Sequence, residues 1–64
     1  MKFKVLLTLI DSNTKIRLIV TVYGMKFEAE HFQEYFTEKI ESKELLDEVV
    51  KNMRVSDNCL EVIL

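Results

Sequence analysis

One cysteine, Cys59, and one histidine, His31, in a chain of 64 residues exclude an internal disulfide and a Cys/His zinc cluster, two staples on which small domains often rely. A chain of this length buries only about 60% of the surface that its unfolded form exposes. Its core must come from secondary structure packed with little to spare, and a partner is the remaining source of added stability. A composition 48% hydrophobic and 31% charged lies far from the signature of disorder. Proline is absent, the only glycine is Gly24, and there is no Ser/Gly-rich stretch or repeat, which argues against linkers. The expectation is one α+β domain over residues 1–64.

Met1 to Leu7 resembles the basic start of a secretory signal, but the apolar run ends at Asp11 with no small-residue cleavage site after it. No segment reaches the roughly 18 apolar residues that span a bilayer. The free thiol agrees with a reducing compartment, and the expected location is cytoplasmic.

Period-two alternation marks two strands. From Phe3 to Leu9 the odd positions are apolar, and from Ile16 to Val22 the even positions are. Asp11-Ser12-Asn13-Thr14 between them suits a turn, either two residues at Ser12-Asn13 or a loop of all four. Both give a hairpin with Leu9 opposite Ile16, Leu7 opposite Leu18, Val5 opposite Val20 and Phe3 opposite Val22. A slip of one residue would turn the two apolar sets to opposite faces.

After Gly24 the period changes. Ala29, Phe32, Phe36 and Ile40 recur at three and four residues and predict a helix. Its start lacks a capping residue, and Met25-Lys26-Phe27 fits equally well as a strand continued past a glycine bulge. Leu45, Leu46, Val49, Val50 and Met53 form a second stripe rotated from the first, so a second helix is expected from about residue 43 to residue 53, capped by Ser42. Ser56-Asp57-Asn58 reads as a turn and Leu60 to Leu64 as a third strand. The predicted fold is α+β, a three-stranded, mainly antiparallel sheet in β-β-α-α-β order with the helices packed on one face. Strand orders 2-1-3 and 1-2-3 both fit.

The sequence contains no Gly-rich phosphate loop, GxSxG elbow, HExxH or CxxC. Cys59 and His31 fall in different elements, so nothing local joins them as nucleophile and base. The plain reading of His31 is a surface histidine among carboxylates, and that of Cys59 a small apolar filler. No metal site, no cofactor and no enzymatic activity are expected.

Charge is distributed unevenly. Residues 1–27 hold five bases against Asp11, whereas residues 28–64 hold ten acids against four bases. On the predicted first helix Glu30, Glu34, Glu38 and Glu41 share one arc, almost opposite the apolar stripe. Acidic faces are common on solvated helices, yet like charges at i,i+4 cost a few tenths of a kcal/mol each, so stability alone would not choose such a row. Its pitch of about 6 Å resembles that of backbone phosphates. Direct nucleic-acid binding is not expected at a pI near 5.3, although Lys4, Arg17 and Tyr23 share the second sheet face. That face also carries Leu6, Ile19, Tyr23 and Ile63, an apolar cluster of the kind that marks an interface.

Two functions fit. The leading one is a small non-enzymatic binding protein that docks the glutamate row on a basic surface of another protein and inhibits or regulates it, as a nucleic-acid mimic would. The alternative is a structural or assembly subunit that forms a homodimer through Leu6, Ile19, Tyr23 and Ile63. Neither involves a membrane.

Overall fold

A computed structural model of the chain describes residues 1–39 and 42–64. Ile40 of the predicted helical stripe and Glu41 of the glutamate row lie outside the described residues. The elements in order are α1 (Phe3–Leu9), β1 (Lys15–Val22), β2 (Met25–Phe32), α2 (Gln33–Glu38), α3 (Lys43–Leu46), β3 (Asn52–Ser56) and β4 (Cys59–Ile63). The sheet is four-stranded and mixed, in the order β2-β1-β4-β3. This overturns the three-stranded β-β-α-α-β expectation.

The first strand of that expectation is a helix. Phe3, Leu6 and Leu7 are buried and Ile10 packs beside them, a spacing of i, i+3, i+4 and i+7. Val5 and Leu9, which alternation would have buried, are 44% and 66% exposed. Backbone bonds secure the entry to α1: the Phe3 N–H donates to the Glu48 carbonyl at 2.8 Å, and the Val50 N–H to the Met1 carbonyl at 2.8 Å. At the other end, the buried Gln33 side chain donates through Nε2 to the Leu7 carbonyl at 2.6 Å, satisfying one of the carbonyls that a helix end leaves open. Asp11 makes the following turn, its carboxylate accepting from the Asn13 N–H and its carbonyl from the Thr14 N–H, both at 3.0 Å.

Two tight hairpins build the sheet. Tyr23 (φ 52°) and Gly24 (φ 76°) turn β1 into β2, and Asp57 (φ 51°) and Asn58 (φ 62°) turn β3 into β4. Positive φ at both central residues is the mark of the type I′ turn, whose twist matches that of the flanking strands. β1 pairs antiparallel with β2 without interruption, from Lys15 opposite Phe32 to Val22 opposite Met25. The inner strands then meet in parallel, with Ile16 beside Leu60 and Leu18 beside Val62. The expected helix over Ala29 and Phe32 is thus mostly strand, and only Gln33–Glu38 is helical.

The expected helix from about 43 to 53 ends at Leu46. Ser42 does cap it, accepting at Oγ from the Leu45 N–H at 3.3 Å. It stops because Glu48 and Val50 bond to Met1 and Phe3, while Asn52–Ser56 pairs with β4. Even-numbered residues of β1 and β4, namely Ile16, Leu18 and Val62, join Phe3, Leu6, Leu7, Phe36 and Leu64 in the core, so the helices lie on that face. Phe3 meets Phe36 edge-on at 5.7 Å between ring centroids.

Candidate interaction surfaces

The opposite face of the sheet carries a line of charge. Strand register sets Glu30, Arg17, Glu61 and Arg54 side by side across β2, β1, β4 and β3. Arg17 lies 3.8 Å from the Glu30 carboxylate and 3.4 Å from that of Glu61, and Arg54 donates to Glu61 from Nε at 3.0 Å. Glu61 is only 4% exposed although it lies on the face opposite the helix-packed core, with the side chains of Arg17 and Arg54 bonded over it. Beside the line, the buried Cys59 thiol donates to Glu30 at 3.0 Å, and Lys15 approaches the same oxygen at 3.6 Å. The thiol bond, then Lys15 and Arg17, hold the Glu30 carboxyl below its usual range, whereas bonding to Glu30 and burial push the Cys59 thiol up. Among the described residues no buried side-chain nitrogen or oxygen lacks a partner.

Only part of the expected self-association cluster is brought together. Ile19 and Ile63 are register neighbours on this face. Leu6 is not on the sheet at all but in α1, inside the core, because its helical spacing turns it there. Tyr23 stands at the hairpin tip, 100% exposed. A positive φ strains a bulky side chain, and this one gains no packing in return.

The glutamate row is divided. Glu30 belongs to β2 and faces Arg17, while Glu34 and Glu38 lie one turn apart on α2. With Phe32, Tyr35 and Lys39 these two line a shallow depression of about 260 Å³. His31 sits on the helix side of β2, opposite Ile16, and its ring stacks on Tyr35 at 3.8 Å. Cys59 is on the other side of the sheet, paired with Ser56. Among the described residues no group of three or more His, Cys, Asp or Glu side chains is placed to hold a metal ion. A second depression, about 320 Å³, runs between β1 and α3 and is lined by Val20, Val22, Ser42, Glu44, Leu45 and Glu48.

A surface that sequence reasoning missed is the edge of β2, one of the two outer strands, which among the described residues has no strand paired along it. All eight residues of the strand are exposed, including Met25, Phe27 and Phe32. The type I′ turn sets the phase of its backbone. Val22 and Met25 flank the turn and exchange hydrogen bonds, so alternate pairs along the hairpin do the same. Two flanking bonds keep this phase: the Gln33 N–H donates to the Thr14 carbonyl, and the Ile19 carbonyl turns the other way, to the Leu64 N–H. The N–H and C=O groups of Met25, Phe27, Ala29 and His31 therefore point into the sheet and those of Lys26, Glu28 and Glu30 point outward, whereas the Phe32 carbonyl opens α2 as its N-cap. β2 contains no proline and pairs with β1 without a bulge, so of the devices that commonly blunt an edge it carries only charged side chains, Lys26, Glu28 and Glu30.

No family model matches the chain, and neither a curated protein nor a solved structure matches it. Among the described residues no helix is long and apolar enough to cross a membrane.

Proposed function

We propose that this chain is a non-enzymatic protein-interaction module that works by strand addition, with an extended segment of polypeptide pairing along the edge of β2. The observation that carries this reading is the edge itself, eight exposed residues in unbroken register with β1. In strand addition the backbone bonds supply affinity, and alternate side chains supply selectivity. Here a bound strand would meet Met25, Phe27, Ala29 and His31 on the helix side, and Lys26, Glu28, Glu30 and Phe32 on the other. The reduced thiol of Cys59 fits a cytoplasmic setting within the same proposal.

A second reading keeps a smaller acidic surface. Glu34 and Glu38 border the depression beside Phe32 and Tyr35, which offers a basic partner both charge and an aromatic wall. Glu30 is not available to extend it, since its carboxylate is engaged by Cys59, Lys15 and Arg17.

Glu28→Pro separates the two readings. It removes an outward N–H without touching the bonds to β1, as edge prolines do. In parallel affinity captures from the cell of origin, partners held by the wild-type chain are expected to be lost with Glu28→Pro and retained with Glu34→Lys/Glu38→Lys. Full retention with Glu28→Pro, whose fold is checked by circular dichroism, overturns strand addition.

A further inference from the structure

We infer that the strand added to β2 is β2 of a second copy, in an antiparallel pair centred on Phe27 that joins two four-stranded sheets into one of eight. This rests on the strand-addition reading and deepens it by naming the partner. A twofold pair places each residue opposite one at equal distance from the centre, so the centre decides which charges meet. Centred on Phe27, Lys26 faces the partner's Glu28 and Glu28 faces the partner's Lys26, with no like charges opposed. Centring on Lys26, Glu28 or Glu30 sets that residue against itself. Centring on Ala29 sets Glu28 against the partner's Glu30 twice. Like charges directly opposite are destabilising, whereas opposite charges and aromatic pairs favour a cross-strand match.

The backbone phase agrees with this register. Lys26 and Glu28 point their N–H and C=O groups outward, so they form the hydrogen-bonded pairs of the new ladder. Phe27 then occupies the narrow, non-hydrogen-bonded site, where Cα atoms lie about 4.5 Å apart and side chains are closest. Its ring is half exposed in the single chain and would be covered by its counterpart. Lys26 and Glu28 already lie 3.5 Å apart within one strand, and pairing makes a cluster of four alternating charges.

Sedimentation of the full chain over micromolar to millimolar concentrations tests the register by charge exchange. The wild-type chain is expected to dimerise, and Lys26→Glu and Glu28→Lys should each raise the dissociation constant at least about tenfold. The double variant Lys26→Glu/Glu28→Lys should return it to within about threefold of wild type, because the opposed charges are restored with their signs exchanged. Both side chains are more than half exposed, so the fold survives, and circular dichroism checks that it does. A wild-type chain that stays monomeric, single reversals without effect, or a double variant weaker than either single one would each overturn the proposal. Glu28→Pro keeps the two levels apart. If the wild-type chain is monomeric but Glu28→Pro still loses a different partner, self-pairing falls and strand addition stands; if Glu28→Pro loses nothing, both fall.

Discussion

β4 and β2 flank the same strand, β1, and meet opposite fates. β4 buries Val62 completely and even hides a carboxylate, Glu61, at 4% exposure, while β2 leaves Phe27 50% exposed. Side-chain hydrophobicity would order Glu61 and Phe27 the other way. The difference lies in what surrounds each strand. β4 has neighbours on both edges, helices over one face and the arms of Arg17 and Arg54 over the other. Among the described residues β2 has a strand neighbour on one edge alone. Burial in this small sheet is thus conferred by position, and β2, as an outer strand, keeps its apolar surface available.

Volume changes should break the comparison most clearly. Val62→Ala is expected to lower stability by about 2–3 kcal/mol, since it removes fully buried methyl groups, whereas Phe27→Ala, at a half-exposed position, should cost about 1 kcal/mol in the monomer. Urea titration at low protein concentration measures both. Next in size is Arg17→Met, expected to cost about 1–3 kcal/mol, because it leaves buried Glu61 to Arg54 alone, a side chain 69% exposed. Glu28→Gln on β2 should change stability by no more than about 0.5 kcal/mol.

Acid should act on the bonded carboxylates with a smaller effect. Glu30 is held low chiefly by the Cys59 thiol bond, and Asp47 chiefly by its hydrogen bond to Lys4, which lies 2.9 Å away. In each case the folded carboxyl gives up its proton more readily than the unfolded one. Their contributions are therefore complete above the ordinary carboxylate range and fade as pH falls below about 4. Lys4→Met should flatten the Asp47 share of that loss, as thermal melts between pH 2 and 6 would record. The smallest effect on stability, though a clear one on reactivity, concerns Cys59. With its thiol pushed up and bonded to Glu30, alkylation at pH 7.5 should run at least about tenfold slower in the folded chain than in urea.

The inner strands were legible from local pattern. Ile16–Val22 alternates except at Ile19 and lies within β1, and the run at Leu60 lies in β4. The turn at Asp57-Asn58 and the cap at Ser42 were readable from residue chemistry. The remainder was ambiguous in period. Phe3, Val5, Leu7 and Leu9 fit a strand, while Phe3, Leu6, Leu7 and Ile10 fit a helix, and only packing chose between them. β2 carries Ala29 and Phe32 at helical spacing, but the signal that decides it is the two-residue turn Tyr23-Gly24 between Val22 and Met25. β3 was obscured in the same way by Leu45 to Met53, whose apolar residues serve α3, a backbone bridge and an outer strand in turn. The acidic row assumed one helix through Glu30, Glu34 and Glu38, so it divided when that helix proved to start at Gln33.

The parallel seam between β1 and β4 also governs how the chain reaches this structure. Each hairpin forms from neighbours in sequence, but the bond from Arg17 to Glu61 joins residues 44 positions apart. Closing so long a loop costs chain entropy before any contact returns it. Docking of two preformed hairpins is thus the expected slow step of folding. In stopped-flow experiments Leu18→Ala at the seam should slow refolding, whereas a change at the Tyr23-Gly24 tip should mainly alter how fast the folded chain comes apart.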